Sequence, residues 1–250
     1  MKIALIGYGK MGKEIEKVAR SRGHEIVCII DINNQDDFES EAFKSADVAI
    51  EFTNPMVAYS NYMKAFKAGV KLVSGSTGWM TEHGEEIKKL CTEGGQTLFW
   101  SSNFSLGVSI FSALNKYLAK IMNQFPAYDV TMSETHHIHK LDAPSGTALA
   151  LADALNEELG QEYTYVYDRS TRREKRPEKE IGISSVRGGT IVGDHDVIFA
   201  GTDEVVTFSH MAYSKAVFGR GAVQAAKFLA GKPAGMYDMS HVIEAVLGQE

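Results

Sequence analysis

The sequence predicts an α/β protein: an open parallel sheet wrapped by helices, followed by an α+β part whose sheet is mixed and largely antiparallel. Three observations predict it. Short apolar runs alternate with helical periodicity through the first hundred or so residues, with crossovers of about a dozen residues, as parallel strands require. A glycine hexapeptide, Gly7-Tyr8-Gly9-Lys10-Met11-Gly12, joins the first apolar run to the first helix. After Asn103 the pattern changes to one long amphipathic helix and then β-branched runs separated by glycine turns.

Residues 2–6 (KIALI) read as the first strand, and Met11, Ile15, Val18 and Ala19 put one apolar face on a helix over 11–22. Further strands are expected at 26–30, 47–52, 70–74 and 96–101, with helices at 59–68, closed by Gly69, and at 82–91. The 38–46 segment is short for a crossover helix, so a trimmed connection is expected there. In the second part a helix over 107–123 leads to a strand at 128–135, and a Pro-Ser-Gly turn opens a helix running to about Leu159. Runs at 181–187, 190–200 and 203–210 read as antiparallel hairpins turning at Gly188-Gly189 and Gly201-Thr202-Asp203. A helix over 216–230 ends at Gly231, with Pro233 beyond it. The boundary between two domains falls near residue 106.

A chain of 250 residues with 44% apolar and 23% charged residues can bury a sizeable core. Its formal charge of -6 gives no electrostatic reason to expect a nucleic-acid partner. The basic stretch from Arg169 to Lys179 is interleaved with glutamates and reads first as a mobile, solvated segment, second as a loop able to reach a small acidic substrate. Two cysteines, Cys28 and Cys91, are too few for a disulfide framework. The expected strand at Lys2 leaves no room for a signal peptide, and no apolar run approaches the roughly 18 residues of a membrane span, so a cytoplasmic protein without membrane contact is expected.

The hexapeptide matches G-x-G-x-x-G, a weak signal alone. Here it follows an expected strand, opens an expected helix, and has Asp31, 19 residues beyond Gly12, at the end of the next strand. That context is the fingerprint of a Rossmann-type dinucleotide site. Gly7 permits the tight turn, Gly9 lets the backbone approach a pyrophosphate, Gly12 lets helix pack on strand, and the helix N-terminus faces the phosphates with Tyr8, Lys10 and Met11 in the same loop. Asp31 can accept hydrogen bonds from the ribose hydroxyls and repels a 2′-phosphate, so NADH is the preferred cofactor and NADPH the second, with Lys10 or a lysine of a neighbouring loop able to soften the choice. The loops Gly75-Ser76-Thr77-Gly78 and Ser101-Ser102-Asn103-Phe104 follow strands of the same sheet and are candidates for the nicotinamide end of the cofactor.

The densest chemistry lies in Glu134-Thr135-His136-His137-Ile138-His139-Lys140-Leu141-Asp142-Ala143-Pro144-Ser145-Gly146-Thr147, where three of eight histidines fall within four positions. Histidine can donate a proton near neutral pH, and Lys140 beside it attracts an anion. Ser145, Gly146 and Thr147 stand at the mouth of a helix whose first N–H groups, with the Thr147 hydroxyl, can cradle a carboxylate. The reading is a small carboxylate undergoing reduction. Two plainer readings are that Ser145 only caps its helix and that the histidines bind zinc. No cysteine lies nearby and Lys140 would repel the ion, so no metal is expected.

These pieces together resemble the 4-hydroxy-tetrahydrodipicolinate reductase (dihydrodipicolinate reductase) family. The matching segments are GYGKMG, GSTG, SSNFSLGV, ETHHIHKLDAPSGTA, ISSVRGG with IVGDH and VIFAG, and the closing MYDM. The resemblance implies reduction of the cyclic product of pyruvate and aspartate semialdehyde condensation, with loss of water, in lysine and diaminopimelate biosynthesis. It places the family's catalytic histidine at His136 with His137 beside it, its substrate-binding lysine at Lys140, and its carboxylate-binding pair at Gly146 and Thr147. It implies a dinucleotide-binding domain over 1–106, a substrate-binding and oligomerisation domain over 107–215, a C-terminal helical segment within 216–250 returning to the first domain, and a homotetramer. Three features depart from the family pattern: a glycine loop one residue tighter, Lys10 in place of an arginine, and Met211 and Lys215 where two arginines are typical. The rival readings are another NAD(P)-dependent dehydrogenase of a small amino or keto acid, which gives no reason for HHIHK joined to DAPSGT, and a dinucleotide-binding sensor, which leaves the protonating cluster idle.

Overall fold

The computed structural model describes residues 1–160 and 162–248. The chain begins β1 (Lys2–Ile6), α1 (Lys10–Ser21), β2 (Glu25–Ile30), a 3-10 turn at Gln35–Glu39, α2 (Glu41–Lys44), β3 (Val48–Glu51), α3 (Pro55–Lys67), β4 (Lys71–Ser74), α4 (Met80–Thr92) and β5 (Thr97–Trp100). It continues through α5 (Leu106–Met122), β6 (Asp129–His136), α6 (Gly146–Glu158), β7 (Thr164–Val166), β8 (Glu180–Arg187), β9 (Gly193–Ala200) and β10 (Val205–Ala212). It closes with α7 (Ala216–Ala230), β11 (Gly235–Tyr237) and α8 (Met239–Leu247). Two compact units result, one of Met1–Leu106 with the segment from Ala216 on, the other of Gly107–Lys215. Among the described residues no helix is long and apolar enough to cross a membrane.

The first unit holds a six-stranded, all-parallel sheet in the order β11-β5-β4-β3-β1-β2. Its central strands are buried on both faces, which is why KIALI and VAIE carry apolar residues without alternation. Successive residues still go to opposite sides. Ile3 and Leu5 meet Ile15, Val18, Ala226 and Leu229 of α1 and α7, whereas Ala4 and Ile6 lie in the cluster of Tyr62, Ala65, Phe66 and Ile87 from α3 and α4. The 38–46 connection is trimmed as the sequence predicts, to the 3-10 turn and the four-residue α2.

The sequence misses β11 and α8, three- and nine-residue elements of the returning segment. That segment is bound to the sheet by specific contacts: the Lys71 ammonium on β4 caps the end of α7, donating to the carbonyls of Ala230 at 2.8 Å and Lys232 at 2.6 Å. A Cβ at Gly221 of α7 would lie 1.5 Å from the Phe104 carbonyl oxygen. Gly221→Ala is therefore expected to destabilise the protein by about 1–3 kcal/mol or more through overpacking, read as a lower urea midpoint. An unchanged midpoint would contradict this packing.

The second unit holds a mixed five-stranded sheet in the order β10-β9-β6-β8-β7. The antiparallel pairings β6–β9 and β9–β10 carry more of its length than the parallel pairings β6–β8 and β7–β8. The hairpin expected at Gly188-Gly189 does not form. β8 and β9 lie on opposite edges of β6, and the glycines instead cross its end, where the Gly188 N–H donates to the His136 carbonyl at 2.8 Å and the Ile138 N–H to the Gly189 carbonyl at 3.3 Å. The turn residues were right for a reversal but did not determine which strand lies between its arms. On β6, Val130, Met132, Glu134 and His136 alternate to the buried face.

The basic stretch is largely exposed, as expected of a solvated segment, but three of its arginines are held in place. Arg169, Arg172 and Arg176 converge on Glu180, a carboxylate only 1% exposed, and Arg176 also reaches Asp129 and the Val130 carbonyl. A buried carboxylate requires such partners.

Candidate functional site

The order of the first sheet reverses between β1 and β3, since the chain moves outward to β2 on one side and to β4 and β5 on the other. Ligands of open α/β sheets bind in the crevice outside the strand ends at that switch point. A cavity of about 530 Å³ lies there, lined by Gly7, Tyr8, Gly9, Asp31, Thr53 and Lys64 among others. Gly7 is in the left-handed region at φ 90°, and a Cβ on it would meet the Phe52 carbonyl at 2.3 Å. A Cβ at Gly12 would lie 2.2 Å from the Gly7 carbonyl, so the start of α1 packs directly on the turn. Gly9 is different: nothing lies within 4 Å of its added Cβ, and as N-cap of α1 it supplies no side-chain hydrogen bond. The protein's own packing gives no reason for glycine there, while a closely approaching phosphate does, with the first amides of Lys10, Met11 and Gly12 facing it. These residues fit a dinucleotide.

Other predicted cofactor residues divide. Two of these side chains turn inward. The Ser76 hydroxyl donates to buried Glu51 at 2.9 Å and accepts from the Thr53 N–H at 3.0 Å. Phe104 packs in the core against Phe52 and Phe99. Gly75 sits tight on the Phe52 ring. Ser101 ties its own loop through the Asn103 carbonyl and N–H. These side chains shape the loops, leaving backbone groups and Thr77 and Ser102 as the parts that can meet a ligand. Burial pushes the Glu51 carboxyl up, against the hydroxyls of Ser74, Thr53 and Ser76 that favour its charge. Lys64 of α3, which the sequence reading did not single out, bonds Gln35 at 2.8 Å on the Asp31 side of the cavity.

In the second unit, β6 ends in a buried polar cluster. His136 is 7% exposed and Glu134, two residues back on the same face, 1%. His136 Nδ1 bonds Glu134 Oε2, and Arg187, the register partner of His136 on β8, donates to Glu134 Oε1 at 2.8 Å. Arg187 also holds the Asp142 carbonyl at 2.6 Å, fixing the loop that leads to α6. Glu134 is burdened by burial, yet Arg187 and His136 outweigh that and hold its carboxyl below the usual range. Burial pushes His136 down, with Glu134 opposing. A Cβ at Gly193 on β9 would stand 2.8 Å from His136 Nε2, so the ring fits because that position has no side chain.

His195 of β9 lies edge-on to His136 with ring centroids 5.1 Å apart. Its Nε2 is 3.0 Å from the Ser145 hydroxyl, which caps α6 by accepting from the Ala148 N–H at 3.1 Å. Burial and then the His136 charge push His195 down to about 4, so it is neutral near pH 7. The plain capping role of Ser145 is thus present, with Gly146 and Thr147 following it at the helix mouth. The Lys140 ammonium meets the Asp142 carboxylate at 2.9 Å. The Lys140 bond holds that carboxylate below the ordinary range, and the Gly146 backbone N–H acts in the same direction. His137 lies beyond the end of β6 with Nδ1 buried and without a hydrogen-bond partner among the described residues.

The structure therefore brings together His136, Lys140 and Gly146 in one region and adds Glu134, Arg187, Asp142, Gly193 and His195. Glu134 could have been found from the period of two along a strand, which puts it on the face of His136. Arg187, Gly193 and His195 needed the pairing of β8 and β9 with β6, and no local signal carries that.

The comparisons with known proteins bear on the same residues. Residues 1–104 match the sequence profile of the family described as "Dihydrodipicolinate reductase, N-terminus", and residues 107–243 that of "Dihydrodipicolinate reductase, C-terminus". The chain belongs to the dihydrodipicolinate reductase family. A relative from Caldanaerobacter subterraneus named 4-hydroxy-tetrahydrodipicolinate reductase is 42% identical over 94% of this chain and 95% of its own. Another of that name from Staphylococcus haemolyticus is 40% identical over 97% of this chain and 100% of its own. Among solved structures, a dipicolinate-bound dihydrodipicolinate reductase from Paenisporosarcina sp. TG-14 superposes with a TM-score of 0.74 over 95% of this chain and 97% of that one, at 23% identity, a likeness of fold. Within the dihydrodipicolinate reductase family, the cluster at the end of β6 falls in the C-terminal profile and the glycine turn in the N-terminal one.

Proposed function

We propose that this chain reduces 4-hydroxy-tetrahydrodipicolinate to tetrahydrodipicolinate with NAD(P)H and loss of the 4-hydroxyl as water, a step of lysine and diaminopimelate biosynthesis. The observation that carries this reading is the Asp142 carboxylate. It meets the Lys140 ammonium at 2.9 Å, and the Gly146 N–H at the start of α6 also favours its charge, so this part of the second unit accommodates a carboxylate in its unliganded state. A dicarboxylate substrate takes the place of Asp142 on Lys140 and is held with Gly146 and Thr147 at the helix mouth, where the helix N-terminus adds its partial positive charge. A Cβ added at Gly146 would meet open space, which leaves room for the incoming group.

Gly7, Tyr8, Gly9, Lys10, Met11 and Gly12 hold the pyrophosphate of the cofactor, Asp31 its adenosine ribose, and the 75–77 and 101–103 loops its other end. When bound, the nicotinamide supplies hydride to the substrate's conjugated imine. His136 holds a proton at Nε2 and delivers it to the carbon that the reduction leaves electron-rich, and Lys140 keeps the substrate carboxylate in place. His137, on the opposite side of the extended chain from His136, shapes the site. Calorimetric titration with dipicolinate tests the anion site: saturable binding that Lys140→Ala weakens is expected, and equal binding by that variant would count against it.

At the ribose end, Asp31 favours NADH, and Lys64 on the same side of the cavity tempers the repulsion of a 2′-phosphate. NADH is expected to give the higher kcat/KM, and Asp31→Ala to narrow the gap. A wild-type preference of about tenfold or more for NADPH would contradict this assignment. The assembly that goes with this reading is a homotetramer built through the second unit, whose sheet leaves Thr131, Ser133 and Thr135 half-buried on its open face and Val205 and Met211 exposed on the edge strand β10. The location that goes with it is the cytoplasm.

A further inference from the structure

We infer that Glu134 is the positioning residue of the proton donor, fixing the tautomer of His136 and stabilising its imidazolium through a carboxylate that Arg187 anchors from the other side. The inference rests on the assignment of proton donation to His136. It begins from the geometry of one buried carboxylate with two partners. Glu134 Oε1 accepts from Arg187 at 2.8 Å, and Oε2 faces His136 Nδ1. An ionised carboxylate only accepts, so Nδ1 must carry the hydrogen. That leaves Nε2, beside Gly193, as the nitrogen that gains and loses the mobile proton.

The charges facing the ring come from four elements. Glu134 lies on its own strand, Lys140 on the turn after β6, Arg187 on β8 and His195 on β9, with His210 of β10 and Asp194 behind His195. Lys140 and Arg187 disfavour the imidazolium, and burial disfavours it more strongly. His195, being neutral, adds no positive charge near pH 7. Among the groups acting on His136, Glu134 alone favours the charged ring. Arg187 has two jobs that fit this account. It keeps Glu134 ionised in a dry site, and by holding the Asp142 carbonyl it ties the dyad to the loop carrying the anion site.

During turnover the Nε2–H bond breaks as the C–H bond of the product forms. His136 is left as the neutral Nδ1–H tautomer, still bonded to an ionised Glu134, and recovers its Nε2 proton from water. A histidine side chain free in water favours the Nε2–H tautomer, so the Nδ1–H form is a signature of the carboxylate.

The test combines Glu134→Gln kinetics with nitrogen NMR of the histidine rings in the full-length protein. A group that must be protonated gives a kcat that falls as pH rises through its pKa. Loss of the Glu134 charge should move that alkaline limb down by about one unit or more and lower kcat near neutrality about tenfold, with substrate KM and NADH affinity within about twofold. A purely structural role would lower kcat equally at every pH with the limb in place, and that result would overturn the inference. The wild-type spectrum keeps the question answerable if the variant fails to fold: neutral His136 is expected as the Nδ1–H tautomer, and an Nε2–H tautomer would overturn the inference. If His136→Gln retained its kcat while the spectrum gave Nδ1–H, the donor assignment would fail and the Glu134–His136 pairing would stand.

Discussion

His136→Gln is expected to lower kcat by about 10²-fold or more while leaving NADH binding and the melting transition in place. The expectation rests on where the ring sits. It closes the last position of β6, its Nδ1 is committed to Glu134, and its Nε2 lies beside Gly193. Glutamine has nearly the same reach and can still accept or donate one hydrogen bond, so the pocket is not emptied. What it lacks is a proton that can be given up near neutral pH. His195, the other imidazole of the cluster, does not replace it, because burial keeps that ring neutral until about pH 4 and its Nε2 faces the Ser145 hydroxyl. His137→Gln is expected to act mainly on KM. Retention of kcat by His136→Gln with its loss in His137→Gln would move the proton donor one residue along the chain. Retention by both variants would leave a water or Lys140 as the donor.

Lys140→Ala is expected to weaken substrate and dipicolinate binding about 10- to 100-fold, the range of one charge-assisted hydrogen bond, with NADH affinity nearly unchanged. In the unliganded chain the ammonium is held by Asp142, so the measured loss is the difference between its bonds to substrate and to the resident carboxylate. Calorimetry with each ligand separately distinguishes the outcomes. Equal losses for dipicolinate and NADH would mean that the substitution disturbs the fold, or that the lysine serves a different site.

Much of this was legible in the sequence, and for a physical reason. The glycine turn, the strands feeding it and the mouth of α6 are each set by residues within a few positions of one another, so spacing alone identifies them. Gly7 needs its φ of 90°, and Gly12 needs to touch the Gly7 carbonyl, whatever the rest of the chain does. The polar cluster behind His136 was not legible in the same way. Arg187 and His195 are neighbours of Glu134 only because β8 and β9 flank β6, and the Gly188-Gly189 turn suggested instead that β8 and β9 pair with each other. The same limit applies to the arginines after Asp168. Their alternation with glutamates reads as a solvated run, and only the folded chain puts Glu180 beneath them. Nor does the sequence show that Phe104 and Ser76 turn their side chains inward, since a loop can lie beside a ligand site while its side chains serve the interior.

Turnover itself decides whether this chain is a reductase with His136 as its proton donor. The measurement is NADH oxidation by the purified protein on 4-hydroxy-tetrahydrodipicolinate generated freshly in the same cuvette from pyruvate and aspartate semialdehyde. Oxidation of one NADH per substrate consumed is expected, with inhibition by dipicolinate and a rate lowered about 10²-fold in His136→Gln. No NADH or NADPH oxidation above the protein-free control, by a chain that binds the cofactor and melts cooperatively, would contradict it.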